Sequence, residues 1–368
     1  MKITFPHMGT SWIAFKTLVE GMGHEVVLPP PPTKRTLDLG TKYAPEFACL
    51  PFKVLLGTYL EALEMGADTI ISSGGVGPCR AGYYTQLQGR ILKEQLGYDV
   101  RVITFEPLQG NLFKTYRMIR ELVNVSFQKF AACAWLAWQK LLALDTLERE
   151  SHRVRPLEAK KGATSRILSR GIAAIDQADS VKGVKNAAAS GLEQFREMPK
   201  DHDYEPLRVG VIGEIYVVLE PFVNLDVVET LGHMGVYVDR SIFLTDWAVD
   251  NTFLDALRME GERSIKKAAR PYLPELVGGH GQNSIGETVL YAKKGFDGVV
   301  QLAPFTCIPE IVAKSIIPEV SKGLNIPVLT LMLDEQTGKA GTATRLEAFV
   351  DLLRMRRSKL AMTRGETA

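Results

Sequence analysis

The sequence predicts an α/β protein: two doubly wound parallel-sheet domains with a helical insertion between them. Three observations carry this prediction. Strand and helix patterns alternate in residues 1–110 and again in residues 207–368, whereas residues 111–206 show helical periodicity without a β-rich run. Such alternation is typical of a parallel sheet with helices on both faces, the arrangement of Rossmann and flavodoxin-like folds.

In the N-terminal domain, short apolar runs predict four strands, at 3–5, 25–28, 69–72 and 100–105. Helical spacing of apolar residues predicts helices over 12–22, 52–65 and 83–95. Residues 29–32 are all proline and predict a rigid turn. A glycine-rich loop at 73–79 follows the third strand, and we expect it to leave room for a bound group rather than to form a nucleotide site.

The spacing of apolar residues also predicts the elements of the insertion and of the C-terminal domain. Polar-faced helices are predicted over 112–144, 165–178 and 182–198, and then strands at 208–212, 236–239, 298–302 and 327–331. Helices are predicted over 222–232, 285–294, 308–322 and 344–355, two of them opened by capping boxes at Ser284 and Thr344. We expect the polar tail, 356–368, to fray.

The two α/β domains look like copies of each other. Around Gly66 and around Gly295, a helix ends in glycine and is followed by x-Asp-x and a β-branched strand. Cys79 stands 13 residues after Gly66, and Cys307 stands 12 residues after Gly295. Both cysteines should therefore lie beyond the carboxyl ends of equivalent strands, which is where ligands bind in open α/β sheets.

Composition excludes several classes of protein. The 368 residues include 44 basic and 42 acidic ones, so the chain lacks the basic excess of a nucleic-acid surface. The most apolar window, 127–144, is interrupted by lysine and glutamine and predicts no membrane span. The first residues enter a strand pattern rather than a signal peptide, so we expect a cytoplasmic protein whose four cysteines are thiols.

Three of the four cysteines share one context. Cys49, Cys79 and Cys307 each have a proline within two residues and stand at the start of a predicted helix, where N–H groups and a partial positive charge favour the thiolate. A shared metal or cluster site and simple core packing both remain open for them. Cys133 lies in an apolar helical run and is expected to pack in a core. A zinc site is an alternative, although the spacing matches no usual zinc motif.

Four stretches carry a family resemblance. They are Pro45–Lys53, Gly77–Arg80, Pro304–Glu310 and Asp334–Phe349, the last containing Thr344-Arg345-Leu346-Glu347-Ala348-Phe349. Together they resemble the 2-hydroxyacyl-CoA dehydratase component family, and within it the acyl-CoA dehydratase activase-related branch, which is related to double-cubane cluster proteins. The similarity spans nearly the whole chain.

The resemblance implies a cofactor, partners and a chemistry. It implies a 4Fe–4S cluster held by Cys49, Cys79 and Cys307, with one iron that lacks a protein thiolate. It also implies an ATP-hydrolysing iron–sulfur activator that supplies a low-potential electron, an acyl-CoA substrate, and either a homologous second subunit or a homodimer. This favours an enzyme of anaerobic metabolism: a dehydratase-like lyase or an ATP-dependent reductase component.

Departures from the family leave alternatives open. The sequence shows no Gly-x-x-x-x-Gly-Lys phosphate loop, so an energised electron would have to come from another protein. A related branch carries an 8Fe–9S double-cubane cluster on six cysteines, and with four per chain such a cluster would have to be shared between two chains. A non-catalytic, cluster-bearing electron carrier and a zinc-stabilised module are the remaining alternatives.

Further candidates flank the cysteines or sit in neighbouring loops. His7 and His280 are candidate proton donors, with locally hydrogen-bonded loop histidines as the alternative. Glu46 and Glu310 are candidate acid–base groups, although helix-dipole capping accounts equally well for Glu310. Arg80 would screen the charge of a cluster or bind a carboxylate or phosphate, or else form an ordinary salt bridge.

Overall fold

The strands form two parallel sheets in the computed structural model, which describes residues 1–74, 78–105, 120, 122–250 and 262–363. The strands are β1 Lys2–Thr4, β2 Glu25–Val26, β3 Thr69–Ser73, β4 Arg101–Phe105, β5 Leu207–Gly213, β6 Val236–Arg240, β7 Gly298–Pro304 and β8 Val328–Leu333. The first sheet has the order β2-β1-β3-β4 and the second the order β6-β5-β7-β8, with every pairing parallel. The predicted α/β fold with two Rossmann-like sheets is confirmed.

Helices connect the strands and extend beyond them. The α-helices are α1 Trp12–Gly21, α2 Lys34–Tyr43, α3 Leu50–Glu64, α4 Tyr84–Arg90, α5 Phe127–Val154, α6 Ala163–Gln177, α7 Val181–Glu197, α8 Ile215–Leu219, α9 Pro221–Asn224, α10 Val227–His233, α11 Leu244–Val249, α12 Glu262–Ala269, α13 Gly281–Lys293, α14 Ile308–Leu324 and α15 Lys339–Thr363. A 3₁₀ turn, Arg80–Tyr83, runs directly into α4, and a π-helical turn, Ile91–Gln95, ends that segment. A second 3₁₀ turn, Arg155–Leu157, follows α5.

The chain divides into two compact units, each built on one sheet. The first contains residues 1–146, 172–189 and 244–261, and the second contains 147–171, 190–243 and 262–368. The helices α5, α6 and α7 therefore divide between the units. The segment 111–206, expected as a helical insertion, is shared between these two units.

Each unit has its own apolar core. In the first, Ile3 and Phe5 of the opening strand pack with Val19 and Met22, one of several clusters in that unit. In the second, completely buried residues of β5, β7, α13 and α14 pack together, among them Ile212, Ile285, Val299, Ala313 and Val320. Near-continuous apolar strands are expected when a parallel sheet is covered on both faces. Within the described residues, no helix is both long enough and apolar enough to cross a membrane.

The predicted capping boxes are wrong. Helix α13 begins at Gly281, three residues before Ser284, with His280 at the N-cap, and the Ser284 hydroxyl donates to Glu310 and does not cap the helix. Helix α15 begins at Lys339, and Thr344 donates to the carbonyl of Ala340 inside the helix. In both cases the helix begins further toward the N-terminus than the sequence pattern predicted.

Other boundaries also differ from expectation. The predicted helix 222–232 is interrupted because Leu225 and Asp226 both adopt left-handed backbone conformations, with φ of 59° and 57°. Helix α2 was not predicted from the polar stretch after the prolines; Thr33 opens it with a capping box. The tail predicted to fray from 356 is helical to Thr363. Part of the helix predicted over 112–144 and the centre of the glycine loop, 75–77, lie outside the described residues.

Candidate functional site

Each of the three candidate cysteines occupies the position immediately before a helix. Cys49 precedes α3, Cys79 precedes the helical segment that starts at Arg80, and Cys307 precedes α14. The backbone is extended at all three, with φ of −71°, −72° and −71°, and none of the thiols caps its own helix. The predicted helix-start context is confirmed, and it exposes each sulfur to the partial positive charge of a helix N-terminus, which stabilises a thiolate.

Two of these cysteines follow equivalent strands. Cys79 follows β3 and Cys307 follows β7, and both strands hold the same place in sheets of identical order. Thr306, directly before Cys307, adopts a left-handed conformation with φ of 64°, which is uncommon for a β-branched residue. Strained backbone of this kind is concentrated at functional sites.

The loops of Cys49 and Cys79 contact each other inside the first unit. The Arg80 guanidinium donates to the carbonyl of Phe47 at 2.7 Å, which ties the Cys79 turn to the Cys49 loop. The hydroxyl of Tyr84 lies in close contact with the sulfur of Cys49. The Tyr84 ring packs edge-on against Phe52, with centroids 5.1 Å apart. Two of the three expected ligands therefore sit on neighbouring loops, and Arg80 serves as the link between them.

The cysteines and the apolar side chains close to them differ in their exposure to solvent. Cys49 and Cys307 are buried and Cys79 is half-buried. Large apolar side chains close to each of them are exposed: Phe47, Tyr83 and Phe305 have 63%, 47% and 53% of their surface open. Each cysteine therefore lies close to an exposed apolar side chain, while the sulfurs of Cys49 and Cys307 are shielded from solvent.

Glu310 lies one turn after Cys307 and forms a buried polar network. Its two carboxylate oxygens accept from the Ser284 hydroxyl at 3.0 Å each, and one of them accepts from the Gln301 amide at 2.9 Å. Thr330 in turn donates to Gln301. Burial raises the pKa of Glu310 to about 7, against the hydrogen bonds from Gln301 and Ser284 and with a contribution from Glu214. A carboxyl with such a pKa can hold or release a proton at neutral pH.

Glu214 is a second carboxyl of interest in the same unit; it is half-buried, and sequence reasoning missed it. It follows β5 directly and caps α8, where it accepts from the amide of Val217 at 3.0 Å. Burial raises the pKa of Glu214 to about 7, opposed by backbone hydrogen bonds. The signal in the sequence was a carboxylate immediately after a buried strand, at the edge of the sheet where ligands bind. Tyr84 was also missed, because its contact with Cys49 depends on tertiary packing.

The remaining predicted residues have simpler surroundings. His7 is buried and its ring bonds the carbonyl of Pro29 at 2.7 Å; burial lowers its pKa, so the ring is neutral at physiological pH. His280 is half-buried at the N-cap of α13, and burial lowers its pKa against the opposing charge of Glu262. Glu46 is exposed and lies in the loop that ends at Ala48, directly before Cys49.

The donor set has the chemistry of an iron–sulfur site, since thiolates are the usual protein ligands of such clusters. Among the residues described, no three His, Cys, Asp or Glu side chains converge closely enough to hold a metal ion. Cys307 belongs to the second unit and the other two cysteines to the first. The joint ligation by all three thiols therefore stays a prediction.

Comparison with known proteins adds no assignment. No protein-family model matches the sequence. No curated protein matches it significantly. The resemblance to the 2-hydroxyacyl-CoA dehydratase components thus rests on the four sequence stretches themselves.

Proposed function

We propose that this chain is an iron–sulfur protein of the 2-hydroxyacyl-CoA dehydratase type, in which Cys49, Cys79 and Cys307 hold a 4Fe–4S cluster. The observation that carries the proposal is the matched placement of the cysteines. Each stands before a helix, and two of them follow equivalent strands of sheets with the same order. When bound, such a cluster would accept a low-potential electron and present one iron without a protein thiolate.

The protein's own groups support this chemistry in specific ways. The amide groups at the helix starts lower the pKa of thiols and favour their ionised form. Arg80 holds the loops of Cys49 and Cys79 together through the Phe47 carbonyl. Glu310 and Glu214, with pKa values of about 7, provide carboxyl groups that can donate or accept a proton near neutral pH.

The same proposal includes the partners of the chain. A separate ATP-hydrolysing iron–sulfur activator would supply the electron, an acyl-CoA would be the substrate, and a homologous subunit or a second copy would complete the enzyme. We place the protein in the cytoplasm, where the reducing environment maintains thiols.

Iron and sulfide content after anaerobic purification and reconstitution tests the proposal. We expect equal iron and sulfide, close to four of each per chain, and a sharp loss in Cys49→Ser, Cys79→Ser and Cys307→Ser. Cys133→Ser is the matched control, because Cys133 packs against Gly21 of α1, where an added Cβ would lie 2.3 Å from the Cys133 Cβ. Retention of the full iron content in Cys49→Ser, or its loss in Cys133→Ser, would contradict the assignment.

The same measurement separates the alternatives. A zinc module would give a colourless protein with zinc and no sulfide. A double-cubane cluster shared by two chains would give the same four irons per chain, and a dimer that is lost when the cluster is removed would distinguish it. An electron carrier would show the cluster but no turnover of any acyl-CoA in the presence of the activator.

A further inference from the structure

The second unit contains a small cleft that none of the cysteine loops lines. Its volume is about 280 Å³, and its charged and polar walls are Arg155, Glu158, Lys161, Asp201, Tyr204 and His233. The cleft lies where the 3₁₀ turn after α5 passes the end of α10. Its size is at the lower end of the range for small-molecule pockets.

Arg155 is the unusual residue of this cleft. It is only 4% exposed, and its Nε is fully enclosed without a hydrogen-bond partner. Within the described part of the chain, its guanidinium makes no hydrogen bond or ion pair at contact distance. A buried charge without such partners costs several kcal/mol, so an arginine in this state at a cleft wall indicates an anionic ligand.

Three nearby carboxylates do not pair with the Arg155 guanidinium, because each of them bonds another group. Glu158 accepts from the amides of Gly162 and Thr164 at 2.8 and 2.9 Å. Glu229 accepts from the Ser165 hydroxyl at 2.5 Å.

The third of these carboxylates, Glu148, forms an ion pair with Arg240 at 2.6 Å. All three are close enough to favour the charged form of Arg155. Burial lowers the pKa of Arg155, and these three carboxylates act in the opposite direction, although their own hydrogen bonds go to other groups.

Two glycines give the cleft its shape. A Cβ on Gly232 would lie 2.6 Å from the Cδ of Arg155, so only glycine leaves room for the arginine stem. Gly235 has φ of +80°, and its Cβ would lie 2.3 Å from the hydroxyl oxygen of Tyr204. That hydroxyl donates to the Gly235 carbonyl at 3.0 Å, which fixes the aromatic wall. The shape of the cleft is therefore fixed by close contacts between glycine backbone and the neighbouring side chains.

We propose that this cleft binds the carboxylate group of a small organic acid, held by the Arg155 guanidinium. A planar guanidinium matches a carboxylate with two parallel hydrogen bonds. The four charged residues of the wall cancel, because Arg155 and Lys161 are matched by Glu158 and Asp201. A singly charged carboxylate therefore adds one negative charge to the cleft, whereas a doubly charged phosphate would add two, which favours the carboxylate.

Calorimetric titration of the full chain tests the site, with acetate and propionate as probes and inorganic phosphate as the competing anion. We expect both carboxylates to bind the wild type and Arg155→Met to lose at least tenfold in affinity. Arg153→Met is the matched control, since Arg153 lies two residues away with 66% of its side chain exposed. Absence of carboxylate binding to the wild type, equal binding to Arg155→Met, or a preference for phosphate would each overturn the proposal.

Two further variants keep the test decisive if Arg155→Met fails to fold. Arg155→Lys retains the charge but not the planar fork, and we expect a several-fold loss of carboxylate affinity. Asp201→Asn removes a wall charge from an exposed loop and should tighten carboxylate binding several-fold, whereas Asp203→Asn, outside the cleft wall, should not. Unchanged affinity in both Arg155→Lys and Asp201→Asn would contradict the assignment of the cleft.

Discussion

Burial sets the proton state of three glutamates in the second unit. Glu214, Glu287 and Glu310 each have a pKa of about 7, raised in every case mainly by removal of the carboxylate from water. Two of them lie at sheet edges near the candidate site, whereas Glu287 lies in the middle of α13. Glu287 is therefore the residue on which the effect of burial on stability can be measured separately from the cysteine chemistry.

Glu287→Gln should change the pH dependence of stability. The folded-state pKa of Glu287 is about 7 and its ordinary value is 4.5, so the folded protein binds the proton more tightly than the unfolded chain does. The wild type therefore has this contribution in full below about pH 4.5 and loses it as the pH rises through 7. We expect the variant to be more stable than the wild type at pH 8 by about 1–2 kcal/mol, less than the full shift implies because the residue is only half-buried.

Urea unfolding at pH 5 and pH 8 measures this difference. At pH 5 the difference should be well below that at pH 8, since Glu287 is then protonated in the folded state and the unfolded chain, with its ordinary value of 4.5, has only begun to release its proton. A difference that is the same at both pH values would show that the substitution acts through packing and not through the proton.

At the level of elements, close backbone contact between α2 and α3 positions Cys49, which stands at the start of α3. A Cβ on Gly40 would lie 1.7 Å from the Lys53 carbonyl oxygen, and a Cβ on Gly57 would lie 1.8 Å from the Thr36 carbonyl oxygen. Arg35 adds polar contacts by bonding two glutamates of α3. The two helices can approach so closely only because glycine occupies both crossing points.

Gly57→Ala should separate these helices and destabilise the first unit. Backbone atoms cannot move aside as a flexible side chain can, so we expect a loss of about 2–4 kcal/mol in the free energy of unfolding. Gly323→Ala is the matched control, because Gly323 lies in α14 with no atom within 4 Å of the added Cβ. Alanine there should stabilise by about 0.5–1 kcal/mol. Equal effects of the two substitutions would contradict the close contact.

An aspartate joins the first and third strands of each sheet in the same way. The Asp68 carboxylate accepts from the amide of Lys2 at 2.9 Å, and the Asp297 carboxylate accepts from the amide of Arg208 at 2.7 Å. The sequence parallel around the two glycines predicted a shared helix–Gly–x-Asp–strand junction. The structure supplies the reason for the aspartate, which caps the start of the neighbouring strand.

Asp297→Ala should cost more stability than Asp68→Ala. Asp297 also bonds the guanidinium of Arg357 at 2.7 and 3.2 Å, a partner that Asp68 lacks. We expect a loss of about 2–3 kcal/mol for Asp297→Ala and about 1 kcal/mol for Asp68→Ala, from charge-assisted hydrogen bonds. Thermal and urea unfolding of both variants checks the order, and an additional Arg357→Met variant should reduce the difference between them.

At the scale of the whole molecule, sequence reasoning was most successful where a local pattern determines structure. Strand–helix alternation predicted both sheets, and a proline within two residues of Cys49, Cys79 and Cys307 predicted helix starts. It failed where packing decides, as at Ser284, whose hydroxyl donates to the buried Glu310 carboxylate instead of capping a helix. In the sequence, only the short repeat around Gly66 and Gly295 indicated that the two sheets have the same strand order.

The last prediction concerns the source of the electron under the proposed function. We expect the chain to require a separate ATP-hydrolysing iron–sulfur partner to reach its reduced state. Thiolate-held clusters have potentials as low as roughly −700 mV, below the reach of ordinary cellular donors. Hydrolysis of ATP coupled to a conformational change in a partner can bridge such a gap, and this sequence has no phosphate loop of its own.

Anaerobic reduction of the reconstituted protein provides the measurement, followed by electron paramagnetic resonance and by product formation from candidate acyl-CoA substrates. Dithionite alone should give little reduction, whereas activator with ATP should give full reduction, and activator with ADP is the control. The Cys133→Ser variant should behave as the wild type, and Cys307→Ser should give neither signal nor product. Full reduction and turnover with dithionite alone, unaffected by activator and ATP, would show that the protein obtains its electron without an energised partner.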